Sequence, residues 1–181
     1  MKKIYTAIDI GSDTIKFVVG EYLNNKVNVL TCHEEKAKGI RKGLIVDSNL
    51  AINAIKDGIK NIEKDLSIKI DKAIVNVPDY NSKFMLVTSS IDITDEEGVT
   101  NEDINRVIKS SVYSKIDKDY ELITVLPIVF TIDGKPVDRP YKIKGKKLEL
   151  KGIMITAPKK NIYSVLSVMD GANIEVADIT I

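Results

Sequence analysis

Apolar and polar positions alternate at the start of the chain in three successive runs. Ile4, Ala7, Ile8 and Ile10 read as a buried strand, and Ile15, Phe17, Val18 and Val19 as a second. Lys26 to Cys32 alternates as a third strand, with Val27, Val29 and Thr31 on one face. Gly11-Ser12-Asp13 between the first two is too short for anything but a tight hairpin turn, and Asn24-Asn25 turns the chain into the third. The pattern predicts an antiparallel meander. The apolar spacing then changes to three and four: Ile52, Ile55, Ile59, Ile62 and Leu66 form the core stripe of a helix. Asp47 or Ser48 caps it, and Lys56, Lys60 and Lys64 lie off the stripe. Gly58 within it costs roughly 1 kcal/mol of helix propensity, which fits close packing against a sheet. Ile70 to Val77, bounded by Pro78, reads as a buried strand, so helix and strand together predict an α/β crossover.

From Asp79 onward the pattern shifts to short strands and turns, which reads as a second domain. Phe84 to Thr88 and Ser89 to Ile93 form one extended stretch. Thr100 followed by Asp103 is close to a capping box and starts a helix to about Tyr113, with Ile104, Val107, Ile108 and Val112 on its apolar face. Glu102 and Asp103 suit the positive end of that helix better than they suit a paired-carboxylate active site. Glu121 to Leu126, Ile128 to Ile132 and Leu148 to Thr156 are strands. Pro127 marks a bulge or break between the first two, and Asp133-Gly134 makes a turn. Lys142, Lys144, Lys146, Lys147 and Lys151 gather around Gly145. Glu149 lies among them and no aromatics interleave, so they read as a solvated hairpin rather than a phosphate or lipid patch. After Pro158, Ile162, Val165, Leu166 and Met169 form a helical face closed by Gly171 as its C-cap, and Ile174 to Ile181 begins another strand.

The chain has 181 residues, 44% of them hydrophobic, enough for one large domain or two small ones with cores of their own. Twenty-seven basic and 26 acidic residues give a formal charge of +1, so no global field points to nucleic acid or an anionic membrane. Cys32 is the single cysteine, which excludes an internal disulfide. Cys32 and His33 have no further Cys or His to complete a metal site. No signal-peptide h-region or bilayer-length apolar run is present, and a cytoplasmic protein fits best.

The candidate chemistry lies between the first two strands. A turn at Gly11-Ser12-Asp13 lines up backbone N–H groups with the Ser12 and Thr14 hydroxyls in a small donor-rich concavity suited to phosphate oxygens, and Lys16 adds a positive charge. Asp9 ends an apolar strand, where an unpaired carboxylate is costly. Two readings stand: a metal or its water shell faces Asp9, or Asp9 bonds its own turn while Lys16 points to solvent. Spacing alone does not decide whether Lys16 and the turn share a face.

Asp9-Ile10-Gly11-Ser12, with Thr14 and Lys16, resembles the first phosphate motif of the actin-like ATPase superfamily. Gly39-Ile40-Arg41-Lys42-Gly43-Leu44-Ile45-Val46-Asp47, the helix after it and the strand ending in Val77-Pro78 narrow the resemblance to the bacterial cell-division family FtsA. A direct catalytic role for Arg41 or Lys42 is not implied. The resemblance covers essentially the whole chain. It implies a mixed α/β fold, with an actin-like (ribonuclease H-like) subdomain at 1–83 and 170–181 and an inserted strand-and-helix subdomain at 84–169.

By the same resemblance, Asp9 would hold magnesium through water while Gly11, Ser12, Asp13, Thr14 and Lys16 surround the phosphates of ATP. Asp13 departs from the small or neutral residue common in such loops, and its carboxylate is tolerated beside phosphate only if it points outward. The implied function is an ATP-binding scaffold that self-associates into filaments and holds FtsZ at the cytoplasmic face of the membrane at the septum. Membrane contact would come from a C-terminal segment outside residues 1–181, as would the second phosphate loop and the adenosine site. The chain is therefore expected to be an N-terminal portion with no ATP hydrolysis of its own. PilM, a pilus-assembly relative with the same turn and an inserted subdomain, is the alternative family. A sugar or acid kinase of the superfamily needs an acidic general base that residues 1–181 do not supply, and a plain interaction module is the third class.

Overall fold

In the computed structural model, which describes residues 3–181, the alternating runs at the start form the expected meander. Strands β1 (Lys3–Ile10), β2 (Thr14–Leu23) and β3 (Lys26–Lys36) pair antiparallel in order. Asn24 and Asn25, with φ of 51° and 60°, give the left-handed pair that a two-residue hairpin loop favours. A two-residue ladder, β4 (Ile40–Arg41) with β5 (Leu44–Ile45), then leads into helix α1 (Ser48–Leu66). Asp47 is its N-cap, accepting the Leu50 N–H at 3.0 Å. The helix crosses over to β6 (Lys72–Asn76), which lies parallel to β1.

The chain divides into two compact units, one comprising Met1–Asn81 and Ala157–Ile181 and the other Ser82–Thr156. The first unit is completed by helix α3 (Lys159–Gly171) and a last strand, Glu175–Thr180, parallel to β6. Its five strands run in the order last strand, β6, β1, β2, β3. Ile8, Ile10, Ile15, Phe17 and Val19 are buried together with Ala51, Ala54, Ile55, Ile59 and Ile62 of α1. Burying each large side chain contributes roughly 1.5–3 kcal/mol.

Ala7 and Val18, expected inside, are exposed on the opposite face because strand side chains alternate and the helices cover one face. Ile4, near the start of β1, is also exposed. Thr31 does not share a face with Val27 and Val29. Val19 pairs with Thr31 and Gly20 with Val29, so Leu30 is an extra residue that reverses the alternation. Gly171 is the last helical residue of α3 rather than its cap. A Cβ on it would lie 2.5 Å from Ile52 Cδ1, so its role is the close approach of α3 to α1. That packing also assigns α3 to the first unit, where the sequence reading had included it in the inserted block.

The second unit is a four-stranded sheet with one helix. It comprises β7 (Lys83–Asp92), α2 (Asn101–Val112), β8 (Tyr120–Ile132), β9 (Lys135–Val137) and β10 (Lys147–Pro158), with strand order β7-β10-β8-β9. Thr100 and Asp103 form a complete capping box at the start of α2. Val107, Val87, Leu148, Leu150, Phe130 and Met154 form the core. The two strands expected on either side of Pro127 are one strand whose burial changes phase across the proline, from Val125 to Phe130 and Ile132. The lysine-rich segment before Lys147 is not a hairpin. Its backbone pairs with the residue before the α2 cap, Lys142 N–H to Val99 O at 2.7 Å and Val99 N–H to Ile143 O at 3.0 Å. The Asp133 carboxylate accepts the Lys146 and Lys147 amides.

Candidate functional site

The β1–β2 hairpin sets the candidate phosphate residues side by side. Ile10 pairs with Ile15 and Asp9 with Lys16, so Asp9 and Lys16 are direct cross-strand neighbours on the exposed face of the sheet. The register thus places Lys16 on the same face as Asp9. Lys16 is in turn paired with Glu34 of β3.

Gly11, Ser12 and Asp13 form the turn. Gly11 is needed for close approach rather than for a positive φ, since a Cβ there would come 2.6 Å from the Thr14 carbonyl oxygen, to which the Gly11 N–H donates at 3.2 Å. The Asp13 carbonyl accepts the Ala37 N–H at 2.9 Å, while its side chain lies on the exposed side. Ser12 Oγ accepts the Gly43 N–H at 2.7 Å. This bond ties the turn to the Gly39–Asp47 segment and leaves the hydroxyl proton free to donate elsewhere.

Asp9 does not bond its own turn. Its Oδ1 accepts Asn76 Nδ2–H at 2.8 Å, and Asn76 Oδ1 accepts the Ile10 N–H at 2.6 Å. Asn76 and Gly43 are the two contributors that sequence reasoning missed. The available signal for Asn76 was an amide closing the apolar run Ala73-Ile74-Val75; for Gly43 there was none, because the contact is 31 residues away in sequence.

An exposed carboxylate with one oxygen held, a turn with no room for a Cβ and an adjacent lysine together fit a hydrated cation beside phosphate oxygens. Cys32 is exposed, and His33 lies on the covered face with Nε2 3.5 Å from both Asn61 Nδ2 and Glu35 Oε2. Among the described residues no group of three His, Cys, Asp or Glu side chains forms a metal cluster, and no helix is long and apolar enough to cross a membrane. In the first unit, Leu44, Val46, Pro78, Tyr80 and Val165 line a separate groove of about 370 Å³.

A meander followed by two parallel strands, with helices α1 and α3 and a phosphate-type turn between β1 and β2, is an actin-like ATPase fold. The solved structure of the PilM-PilN type IV pilus biogenesis complex matches it with a TM-score of 0.62 over 98% of this chain and 47% of that chain, at 10% identity, a likeness of fold alone. The sequence is more discriminating. The family described as the SHS2 domain inserted in FtsA matches residues 81–156. Over 179 residues the chain is 30% identical to the cell division protein FtsA of Streptococcus pneumoniae serotype 2 (strain D39 / NCTC 7466), covering 98% of this chain and 39% of that protein. It is 27% identical to FtsA of Enterococcus hirae and 26% identical to FtsA of Bacillus subtilis (strain 168), covering 98% of this chain and 41% of each. The chain belongs to the FtsA family. It spans about two fifths of the length of these relatives.

Proposed function

We propose that this chain supplies the first phosphate-binding half of a nucleotide site in an FtsA-type cell-division scaffold. The observation that carries this reading is sequence similarity to cell division proteins FtsA across 98% of the chain. In this proposal ATP is the nucleotide. The Ser12 hydroxyl, the turn around Gly11 and Asp13, the Thr14 hydroxyl and Lys16 face its phosphates, and Asp9 holds magnesium through water. When bound, magnesium neutralises phosphate charge. The protein's own part is to present donors and a lysine from a hairpin whose turn leaves no room for a Cβ at Gly11.

The wider reading is a protein that assembles with itself and with other division proteins, FtsZ among them, at the cytoplasmic face of the septal membrane. Hydrolysis by residues 1–181 alone is not part of it, since in this proposal they supply only one of the two halves that enclose the nucleotide. The inserted unit at 82–156 favours assembly over small-molecule phosphorylation. FtsA is favoured over PilM because identity of 26–30% extends over nearly the whole chain, against 10% for the pilus structure.

The test is calorimetry with magnesium and ATP on the intact protein and its Asp9→Ala form, followed by co-sedimentation with FtsZ polymers. Binding that disappears in Asp9→Ala supports the site. Equal binding in the two forms rejects it, and failure to sediment with FtsZ rejects the partner.

A further inference from the structure

We infer that Asn76 is the positioning residue for the Asp9 carboxylate, holding it away from Lys16 so that carboxylate and ammonium stay separately available to a cation and a phosphate. This rests on the phosphate-site reading above. The starting point is the end of a parallel ladder. Ala7 pairs with Ile74 and Ile8 with Val75, and beyond them the Ile10 N–H is met not by backbone but by the Asn76 side chain, at 2.6 Å. An N–H can be met only by the carbonyl end of that amide, so the NH2 end is directed at the neighbouring acceptor, Asp9 Oδ1, at 2.8 Å. Reversing the amide would set N–H against N–H and carbonyl oxygen against carboxylate. Its orientation is therefore fixed by two opposite partners.

The consequence follows from the register. Asp9 and Lys16 are direct cross-strand neighbours, the arrangement in which opposite charges normally pair. A closed Asp9–Lys16 pair would neutralise both groups that the site needs. Asn76 competes with such a pair through a neutral donor, which holds one carboxylate oxygen and adds no charge. The side chain comes from a different strand than either group, so its grip on Asp9 does not depend on the hairpin turn.

Two substitutions separate this role from simple closure of the ladder. Asn76→Asp keeps an acceptor for the Ile10 N–H but loses the donor toward Asp9, and Asn76→Ala loses both. ATP affinity is measured by calorimetry on the intact protein with magnesium and with EDTA, beside Asp9→Ala. The quantity read is the ratio of the two dissociation constants. In both Asn76 variants the gain from magnesium should fall about tenfold, the usual scale for losing a group that orients a metal ligand, while affinity in EDTA changes far less. A wild-type or larger magnesium gain in Asn76→Asp overturns the inference and leaves Asn76 a ladder end. If Asp9→Ala itself keeps the wild-type gain, the phosphate-site reading fails and this inference with it. A loss in Asp9→Ala but not in Asn76→Asp overturns this inference alone.

Discussion

The ring of Phe17 lies directly against Gly58: a Cβ built on that glycine would stand 2.4 Å from both Cε2 and Cζ. Phe17 is fully buried in β2, and Gly58 is on the buried face of α1. The helix therefore sits on the sheet at a distance set by a hydrogen atom.

Gly58→Ala should accordingly destabilise the first unit. At an exposed helical position the same change would stabilise by roughly 1 kcal/mol. Here the methyl meets an aromatic ring already enclosed by the core, and overpacking of this kind costs about 1–3 kcal/mol. Urea unfolding of the two proteins measures the difference. A more stable Gly58→Ala protein would show that the ring has room to move aside.

Asp103 should make the stability of the second unit depend on acid. Burial opposes its ionisation, but hydrogen bonds from the Thr100 amide and hydroxyl and the charge of Arg106, 2.9 Å away, prevail and hold its carboxyl below the ordinary range. A group with a depressed folded pKa stabilises fully above its unfolded value of about 4, and that stabilisation disappears as pH falls through the folded value. Asp103→Asn should therefore be clearly less stable than wild type at pH 7, with the gap narrowing below about pH 4. Thr100→Ala, which removes the other half of the box, should cost about 1 kcal/mol. Thermal unfolding across roughly pH 2–8, which spans the unfolded value of about 4, measures both.

Gly11→Ala tests the turn. The nearest obstacle is backbone, the Thr14 carbonyl oxygen at 2.6 Å, so no side-chain rotation relieves it. A loss of about 1–3 kcal/mol is expected, together with weaker magnesium-ATP binding. Calorimetry on the substituted protein at a temperature where it stays folded separates the two effects. Unchanged stability and binding would mean that the turn can open without consequence.

The second unit should be removable. Its first and last strands are antiparallel partners, with Lys83 opposite Thr156, so the chain enters and leaves it at neighbouring points. Replacing residues 82–156 by a short Gly-Ser linker should leave the first unit able to fold, because a short loop costs little entropy when its ends already meet. Circular dichroism and a cooperative thermal transition would show this. A molten or aggregated product would mean that the sheet of the first unit depends on the second.

The legible parts of this protein were the local ones. The Asn24-Asn25 turn, the stripe of α1 with its Asp47 cap and the Thr100–Asp103 box depend on residues within a turn of each other, so spacing and residue type suffice. The meander and the crossover to β6 follow from the change of period. The hairpin part of the candidate site was readable for the same reason, since Asp9, Gly11, Ser12, Asp13, Thr14 and Lys16 follow closely along one strand-turn-strand. Ala7 and Val18 were misplaced because an apolar run does not reveal whether one or both faces of its sheet are covered. Thr31 was misplaced because a bulge at Leu30 changes phase without leaving a signature in composition.

By itself the sequence determined the order of elements, the hairpin that carries the phosphate-type turn, and similarity to FtsA along nearly the whole chain. Tertiary structure decided the partners of that hairpin. Asn76 reaches Asp9 across 67 positions, and Gly43 reaches Ser12 across 31. Such contacts exist only after β6 has docked beside β1 and the Gly39–Asp47 segment has come against the turn. No local preference encodes them, because a hydrogen bond depends on where two groups end up in space and not on how far apart they stand in the chain.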